Sequence, residues 1–382
     1  MELEKLKTPI WVSRETDLRE MVAELEKFPI VSVDTESNSL HAYQEQVCLV
    51  QFSTPDEDYL VDPLALAELS ELEPFFSNPG IEKIFHAAEY DLICLRRDFG
   101  FEFSSLFDTM QAARILGMPA VGLGSLLEAE FGIVLDKRYQ RADWAMRPLP
   151  PALMAYARLD THYLLPLRNR MLELLEKAGR LELAEEDFKR LAHVIPVGNG
   201  NGNGILLEPF WRISGAQDLT PQGAAVLREL AHYRDQQARA ANLPPFKVLS
   251  NQALVTIAQA TPHSLNELDE MHVLSYRQLQ RHGTRLLHAV EHGLQAPPQH
   301  RPSMPRKDER FLNRLEALRD WRKQAAKNMG VESDVILPRD LLFSLAERDP
   351  SNHEELSQTL SDTPWRLDRF GGKILETLNK VR

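Results

Sequence analysis

The chain has 382 residues, with 44 Lys and Arg against 56 Asp and Glu, so its formal net charge is −12. That length predicts two or three domains, and 43% apolar with 26% charged residues excludes collagen-like, disordered and membrane-spanning classes. Such an acidic chain does not coat nucleic acid through overall positive charge.

The first residues, MELEKLKTPIWV, hold no apolar run of leader length, and no stretch of about 18 apolar residues follows. A cytosolic protein is expected. Cys48 and Cys94 each sit in an apolar segment and are expected as reduced core thiols. Strands are predicted at 30–34 (IVSVD), 47–52 (VCLVQF), 59–61 and 83–85, the central ones apolar on both faces and so covered on both sides. Asp34 and Glu36 end the first of these at a spacing of two, which puts both carboxylates on one face. Two like charges beside an apolar strand repel each other and are costly to desolvate, and a divalent cation offsets that cost.

Helical periodicity takes over at 90–99, 108–116, 123–131, 151–177 and 182–193. Asp91 opens the first of these helices and fits two readings, a carboxylate stabilised by the helix dipole or a third member of the acidic site. Tyr156 and Asp160 stand four apart, one turn from each other, on a face that also carries Leu153 and Leu164. A buried Tyr–Asp hydrogen bond explains that pair alone. Together, four carboxylates at the edges of apolar elements suit two Mg²⁺ or Mn²⁺ ions about 4 Å apart, an arrangement for in-line displacement at phosphorus. Tyr156 would orient the attacking water or accept its proton. No Ser/His/Asp triad, phosphate-cradling GxxxxGK[ST] loop or CxxC pair accompanies them.

Two segments read as linkers, the Gly/Asn alternation of 198–204 and the proline-rich 295–305. Three domains follow: a mixed α/β domain at 1–195 and two all-α domains at 208–294 and 306–382. The acidity is uneven. Residues 1–214 are net −14, 215–300 net zero and 301–382 net +2. Shifting the sequence by 88 residues superposes Leu227 on Leu315, Tyr233 on Trp321, Arg234 on Arg322, Pro262 on Pro350 and Gly283 on Gly371 without a gap, so one module of four or five helices is present twice.

The order Asp34-x-Glu36, Asp91, Tyr156-x-x-x-Asp160 resembles the tyrosine-bearing branch of the DEDD 3′→5′ exonucleases, and the duplicated module resembles the HRDC domain. Their succession is similar to that of the bacterial ribonuclease D family. The resemblance implies a ribonuclease H-like mixed sheet, with Asp34, Glu36, Asp91 and Asp160 as ligands of two divalent cations and Tyr156 placing the water. It implies a 3′→5′ exoribonuclease that releases nucleoside 5′-monophosphates, with RNA as partner, tRNA precursors with 3′ extensions above all. No organic cofactor and no membrane are implied, and a monomer is the simplest assembly. His86 and Tyr90 belong to the second motif; Lys137, Gln140, Asp143, Trp144 and Arg147-Pro148-Leu149 resemble the segment before the third. These outer residues are candidates for supporting or facing the substrate, Trp144 equally a packing anchor or a stacking platform.

Between Arg306 and Lys327 eight basic residues stand against four acids. Arg310, Arg314, Arg322 and Lys323 either track RNA phosphates or form a solvated helix face. The first reading predicts RNA affinity that falls when 306–382 are removed. Two other functions fit the same residues. One is a DNA exonuclease, since the carboxylates do not read the 2′-OH. The other is a catalytically inactive nucleic-acid-binding adaptor, against which the five intact positions argue.

Overall fold

The computed structural model describes residues 6–136, 138–194, 208–302 and 308–382. The chain forms two compact units, Met1–Ser37 with Val47–Pro196 and Arg306–Arg382, and Asn38–Gln46 with Val197–Pro305. In the first unit, β1 (Ile10–Val12) and α1 (Glu15–Leu25) lead into β2 (Ile30–Ser37), β3 (Val47–Ser53) and β4 (Asp58–Val61). Then come α2 (Glu73–Ser77), β5 (Glu82–Phe85), α3 (Glu89–Phe99), β6 (Leu106–Asp108), α4 (Thr109–Leu116) and α5 (Leu123–Phe131). Helices α6 (Pro151–His162), α7 (Leu164–Ala178) and α8 (Leu181–Ala192) complete the domain.

The strands form one mixed sheet in the order β1-β4-β3-β2-β5-β6. β2 pairs antiparallel with β3 and parallel with β5. Every residue of β3 and β4 is buried, as expected for strands covered on both faces. On one face, Val31, Val33, Val50 and Phe52 join Leu18 and Leu25 of α1 and Leu92 and Leu95 of α3. On the other, Ile84 and Phe107 meet α4, α7 and α8, while Leu49 and Leu60 meet Leu153 and Ala157 of α6. This is the expected mixed sheet flanked by helices. β1 and β6 escape the sequence because three residues hold too little alternation to read, and the helix expected over 151–177 breaks at Tyr163 into α6 and α7. Among the described residues no helix is long and apolar enough to cross a membrane.

The duplication is visible helix by helix. The first copy consists of α9 (Pro221–Ala241), α10 (Pro245–Val248), α11 (Asn251–Ala260), α12 (Leu265–Glu270) and α13 (Tyr276–Gln295). The second consists of α14 (Glu309–Met329), α15 (Ser333–Ile336), α16 (Arg339–Arg348), α17 (His353–Thr359) and α18 (Pro364–Asn379), each starting 88 residues after its counterpart. Bonds repeat at the same offset. Arg234 donates to the Leu249 carbonyl at 3.2 Å and Arg322 to the Leu337 carbonyl at 2.8 Å. Ring pairs do too, Tyr233 with His282 and Trp321 with Phe370.

The copies differ in their surroundings. The second is part of the first unit, where Val335, Met329, Val331 and Trp365 join the apolar cluster of α4, α7 and α8. The fully buried Arg366 spans the junction, donating to the carbonyls of Ile336 (3.1 Å) and Val335 (2.9 Å) and to Glu186 (2.9 Å) and Asp187 (3.0 Å) of α8. Arg180 donates to the carbonyls of Ile115 and Met329, both at 2.7 Å. The backbones approach so closely that a Cβ on Gly117, whose φ is +77°, would lie 2.1 Å from the Gly330 oxygen. The first copy belongs to the second unit, with the loop Asn38–Gln46 between β2 and β3 folded against it. There the Tyr43 hydroxyl donates to Asp235 at 2.7 Å and accepts from Arg239 at 3.1 Å.

Candidate active site

β2 runs past β5: their pairing ends at Ser32 and Ile84, and Asp34 and Glu36 follow beyond it. Their position is the carboxyl end of a parallel pair, where open α/β sheets place their sites. β5 is followed by a turn and then α3, which carries Asp91 in its first turn, 6% exposed. The Thr35 hydroxyl, between the two β2 carboxylates, donates to Asp91. α6 crosses β2, β3 and β4 and brings Tyr156 and Asp160 to the same place. Its end is pinned to the sheet by the Ser53–Thr161 hydroxyl pair at 2.7 Å and by His162 Nδ1 against Asp58 at 3.0 Å.

The turn before α3 is held by a carboxylate outside the motif. Asp108 accepts the amides of Ala87 (3.2 Å) and Ala88 (2.7 Å), and those of Met110 (2.8 Å) and Gln111 (3.0 Å) at the start of α4. It is the N-cap of that helix and not its first residue, the correction being that its backbone is extended. Ala87 has φ +65°, a conformation an alanine keeps only when its surroundings fix it. Asp108→Ala would leave buried amides unpaired, and a loss of about 1–3 kcal/mol is expected. A denaturant titration checks this, and undiminished stability would refute the clamp.

Asp34, Asp160, Tyr156, His86 and Gln140 line an open pocket of about 290 Å³. Burial, then repulsion from Asp91, Asp160 and Glu36, holds the Asp34 carboxyl well above the ordinary range. Glu36 is raised likewise by burial and by Asp160 and Asp91. Asp160 is pushed to about 7 by burial and Asp91. Asp91 reaches about 7 by burial, against the lowering effect of the Thr35 hydrogen bond. The four groups therefore feel one another's charge. Tyr156 is raised by burial and by Asp160, Glu36 and Asp34, so its phenol keeps its proton. Burial alone depresses His86 to about 4, and its Nδ1 lies 2.9 Å from the Thr109 hydroxyl.

No three His, Cys, Asp or Glu side chains among the described residues stand at a spacing that encloses one ion. An open set of hard oxygen donors nevertheless suits Mg²⁺, which binds through one or two carboxylates, substrate oxygens and water, not in an all-protein cage. Asp34, Glu36, Asp91 and Asp160 have the chemistry for it, and their mutual repulsion is what a cation would relieve.

The outer candidates divide. Tyr90 is half-exposed on the first turn of α3. Trp144 is 2% exposed and packs with Leu49, Leu60 and Leu153, so no ring face is open to a base. Arg147 is committed to Asp62 at 2.6 Å and to the carbonyls of Cys48, Trp144 and Met146. In the second module, Arg314 donates to the Ala346 carbonyl and Asp349, and Arg322 to the Leu337 carbonyl, which corrects their assignment to an RNA-tracking face. Arg310 and Lys323 are exposed. Lys137, Arg306 and Lys307 lie outside the described residues. The pocket also includes Gly122, Leu123, Gly124, Ser125, Leu135 and Asp136, which the motif reading missed. Their one signal in the sequence is the glycine pair at the start of α5.

Residues 9–176 match the 3′-5′ exonuclease family, and 223–290 and 311–378 each match the HRDC domain. The chain is 37% identical over 265 residues to the exosome complex exonuclease RRP6 of Saccharomyces cerevisiae, covering 66% of this chain and 36% of that protein. It thus spans about a third of the length of that relative. It is 31% identical over 285 residues to the ribonuclease D of Gluconacetobacter diazotrophicus, covering 74% of this chain and 71% of that one. The structure of Escherichia coli RNase D, an exoribonuclease involved in structured RNA processing, superposes with a TM-score of 0.68 at 25% identity over 98% of this chain and 99% of that one. The chain belongs to the ribonuclease D family, a 3′-5′ exonuclease domain followed by two HRDC domains.

Proposed function

We propose that the protein is a divalent-metal-dependent 3′→5′ exoribonuclease that removes nucleoside 5′-monophosphates from RNA, with 3′-extended tRNA precursors among its substrates. The carrying observation is the convergence of Asp34, Glu36, Asp91 and Asp160, from three different elements, beside Tyr156. Those carboxylates would hold two ions, Mg²⁺ or Mn²⁺, which when bound lower the pKa of a water and neutralise charge on the leaving oxygen. Tyr156 keeps its proton and so serves as a hydrogen-bonding group that orients the water, the weaker of its two expected roles being that of a base. Neutral His86, held at Nδ1 by the Thr109 hydroxyl, lines the pocket without adding charge. The RNA substrate is supported by the ribonuclease D relative and its structural counterpart.

Matched RNA and DNA strands, digested with Mg²⁺, with Mn²⁺ and with chelator, test the reading. Stepwise metal-dependent loss of 3′ nucleotides from RNA is expected; degradation of the DNA alone would favour the DNA enzyme, and no turnover would favour an adaptor. Tyr156→Phe should lower the trimming rate about 10²-fold, the scale of one positioned proton-transfer or orienting group. Calorimetric metal binding by that variant should be unchanged, and an unaltered rate would remove the role.

A further inference from the structure

The duplicated module presents the same face twice, and the two faces carry different chemistry. At the offset of 88 residues, Lys247, Arg277 and Gln278 of the first copy correspond to Val335, Trp365 and Arg366 of the second. Gln278 donates to the Val248 carbonyl at 2.9 Å, just as Arg366 donates to the Ile336 carbonyl at 3.1 Å, so the two positions are structurally equivalent. In the second copy this face is covered by protein: Val335 and Trp365 are apolar and lie in the cluster of α4, α7 and α8, and Arg366 reaches Glu186 and Asp187.

In the first copy the face is cationic and open. Lys247, Arg277, Arg281, His282 and Gln278 line a depression of about 150 Å³. Arg277, Arg281 and Arg285 recur every four residues along α13, and no acid occurs between Tyr276 and Val290. Among the described residues none of Lys247, Arg277, Arg281 and Arg285 pairs with a carboxylate: Lys247 Nζ lies 3.4 Å from His41 Nδ1 of the loop Asn38–Gln46, and Arg285 is hydrogen-bonded to the Tyr233 hydroxyl, both partners without negative charge that leave the positive charge uncompensated. Beside them stand the two most exposed aromatic rings of the described residues, Tyr276 at 76% and Phe246 at 54%. Lysines and arginines without acidic partners, interleaved with open rings, match a single-stranded polyanion whose bases stack.

We propose that this face of the first module, centred on Lys247, Arg277 and Arg281 and flanked by Phe246 and Tyr276, binds the backbone and bases of single-stranded RNA. The inference rests on the exoribonuclease reading for its substrate. It moves the RNA surface from the second module, where the sequence suggested it, to the first. One copy commits this face to packing on α4, α7 and α8 and the other does not, and the contrast of Val335 and Trp365 with Lys247 and Arg277 is the chemical difference between them.

The test uses the full chain carrying Lys247→Ala, Arg277→Ala and Arg281→Ala together, and separately Phe246→Ala with Tyr276→Ala. Binding of a fluorescent polyadenylate several tens of nucleotides long is measured in chelator over a salt series. The triple variant should bind about tenfold or more weakly, and its salt slope should fall by about 2, at roughly 0.7 for each single-strand phosphate no longer neutralised. The aromatic pair should weaken binding at an unchanged slope, because stacking releases no counterions. Hydrolysis of a dinucleotide with Mg²⁺ should be the same in all three proteins. Equal affinity and slope in the triple variant would overturn the proposal. If the unaltered protein cleaves no RNA, the exoribonuclease reading fails, while the chelated binding comparison is decided independently.

Discussion

Asp34→Asn is expected to slow RNA trimming severely while raising the melting temperature of the metal-free protein. Both effects come from one cause. Asp34 is buried beside Asp91, Asp160 and Glu36, and all four carboxyls are displaced upward. A carboxyl whose folded pKa exceeds its unfolded value stabilises the fold at low pH, and that contribution is lost as pH rises through the folded value. For Asp91 and Asp160, with folded values of about 7, the loss runs from about pH 4 to 7. The metal-free protein should therefore melt at a lower temperature at pH 8 than at pH 5.5. Mg²⁺ should narrow that difference, since a ligand of the folded state alone stabilises it. Asn removes one of the repelling charges and one metal ligand together. The trimming rate should fall by about 10²–10³-fold, the scale of losing one preorganised electrostatic group. Thermal scans in chelator and in Mg²⁺, with single-turnover digestion, check the pair of effects. A variant that trims normally, or that melts earlier than the unaltered protein in chelator, would refute the account.

Arg366→Ala should produce the largest loss of stability. The guanidinium has no solvent exposure and satisfies two carbonyls and two carboxylates at once. Its partner Glu186 is 5% exposed and also accepts the Trp365 amide. Burial pushes the Glu186 carboxyl upward, and Arg366 is the main charge holding it down. Removing one partner of a buried pair typically costs about 3–5 kcal/mol. At about 2–4 °C per kcal/mol for a large domain, the melting temperature should fall by about 10 °C. Arg366→Met with Glu186→Leu should recover most of it, because paired apolar replacements avoid the orphaned charge. Equal melting of the single variant and the unaltered protein would show that the junction carries no stability. Removing 306–382 likewise strips Val335 and Trp365 from the apolar cluster of α4, α7 and α8. Destabilisation, not a simple loss of RNA affinity, is the expected result.

The catalytic candidates are legible because each combines two regularities. Asp34 and Glu36 obey the strand period, Tyr156 and Asp160 the helix period, and an acid in an apolar context is conspicuous in one dimension. Asp108 reads as the start of a helix because nothing in its sequence neighbourhood reveals that the amides of Ala87 and Ala88, about 20 residues away, need an acceptor. The basic helix misleads for a related reason. Counting Arg314 and Arg322 as charges ignores that each is taken up by a carbonyl of its own module. For Trp144, only the walls around the ring decide between packing and stacking. The 88-residue repeat is fully readable, but which copy docks depends on Lys247 against Val335 and Arg277 against Trp365, a contrast that acquires meaning once Arg366 is seen between helices.

Tyr43 imposes an order on folding. Its hydroxyl partner, Asp235, lies 192 residues further along the chain. At about 5–20 residues per second, the ribosome delivers that partner roughly 10–40 s after Tyr43. The loop that joins the strand of Asp34 and Glu36 to β3 therefore waits for a helix made much later, and the N-terminal domain cannot reach its final form as the first piece off the ribosome.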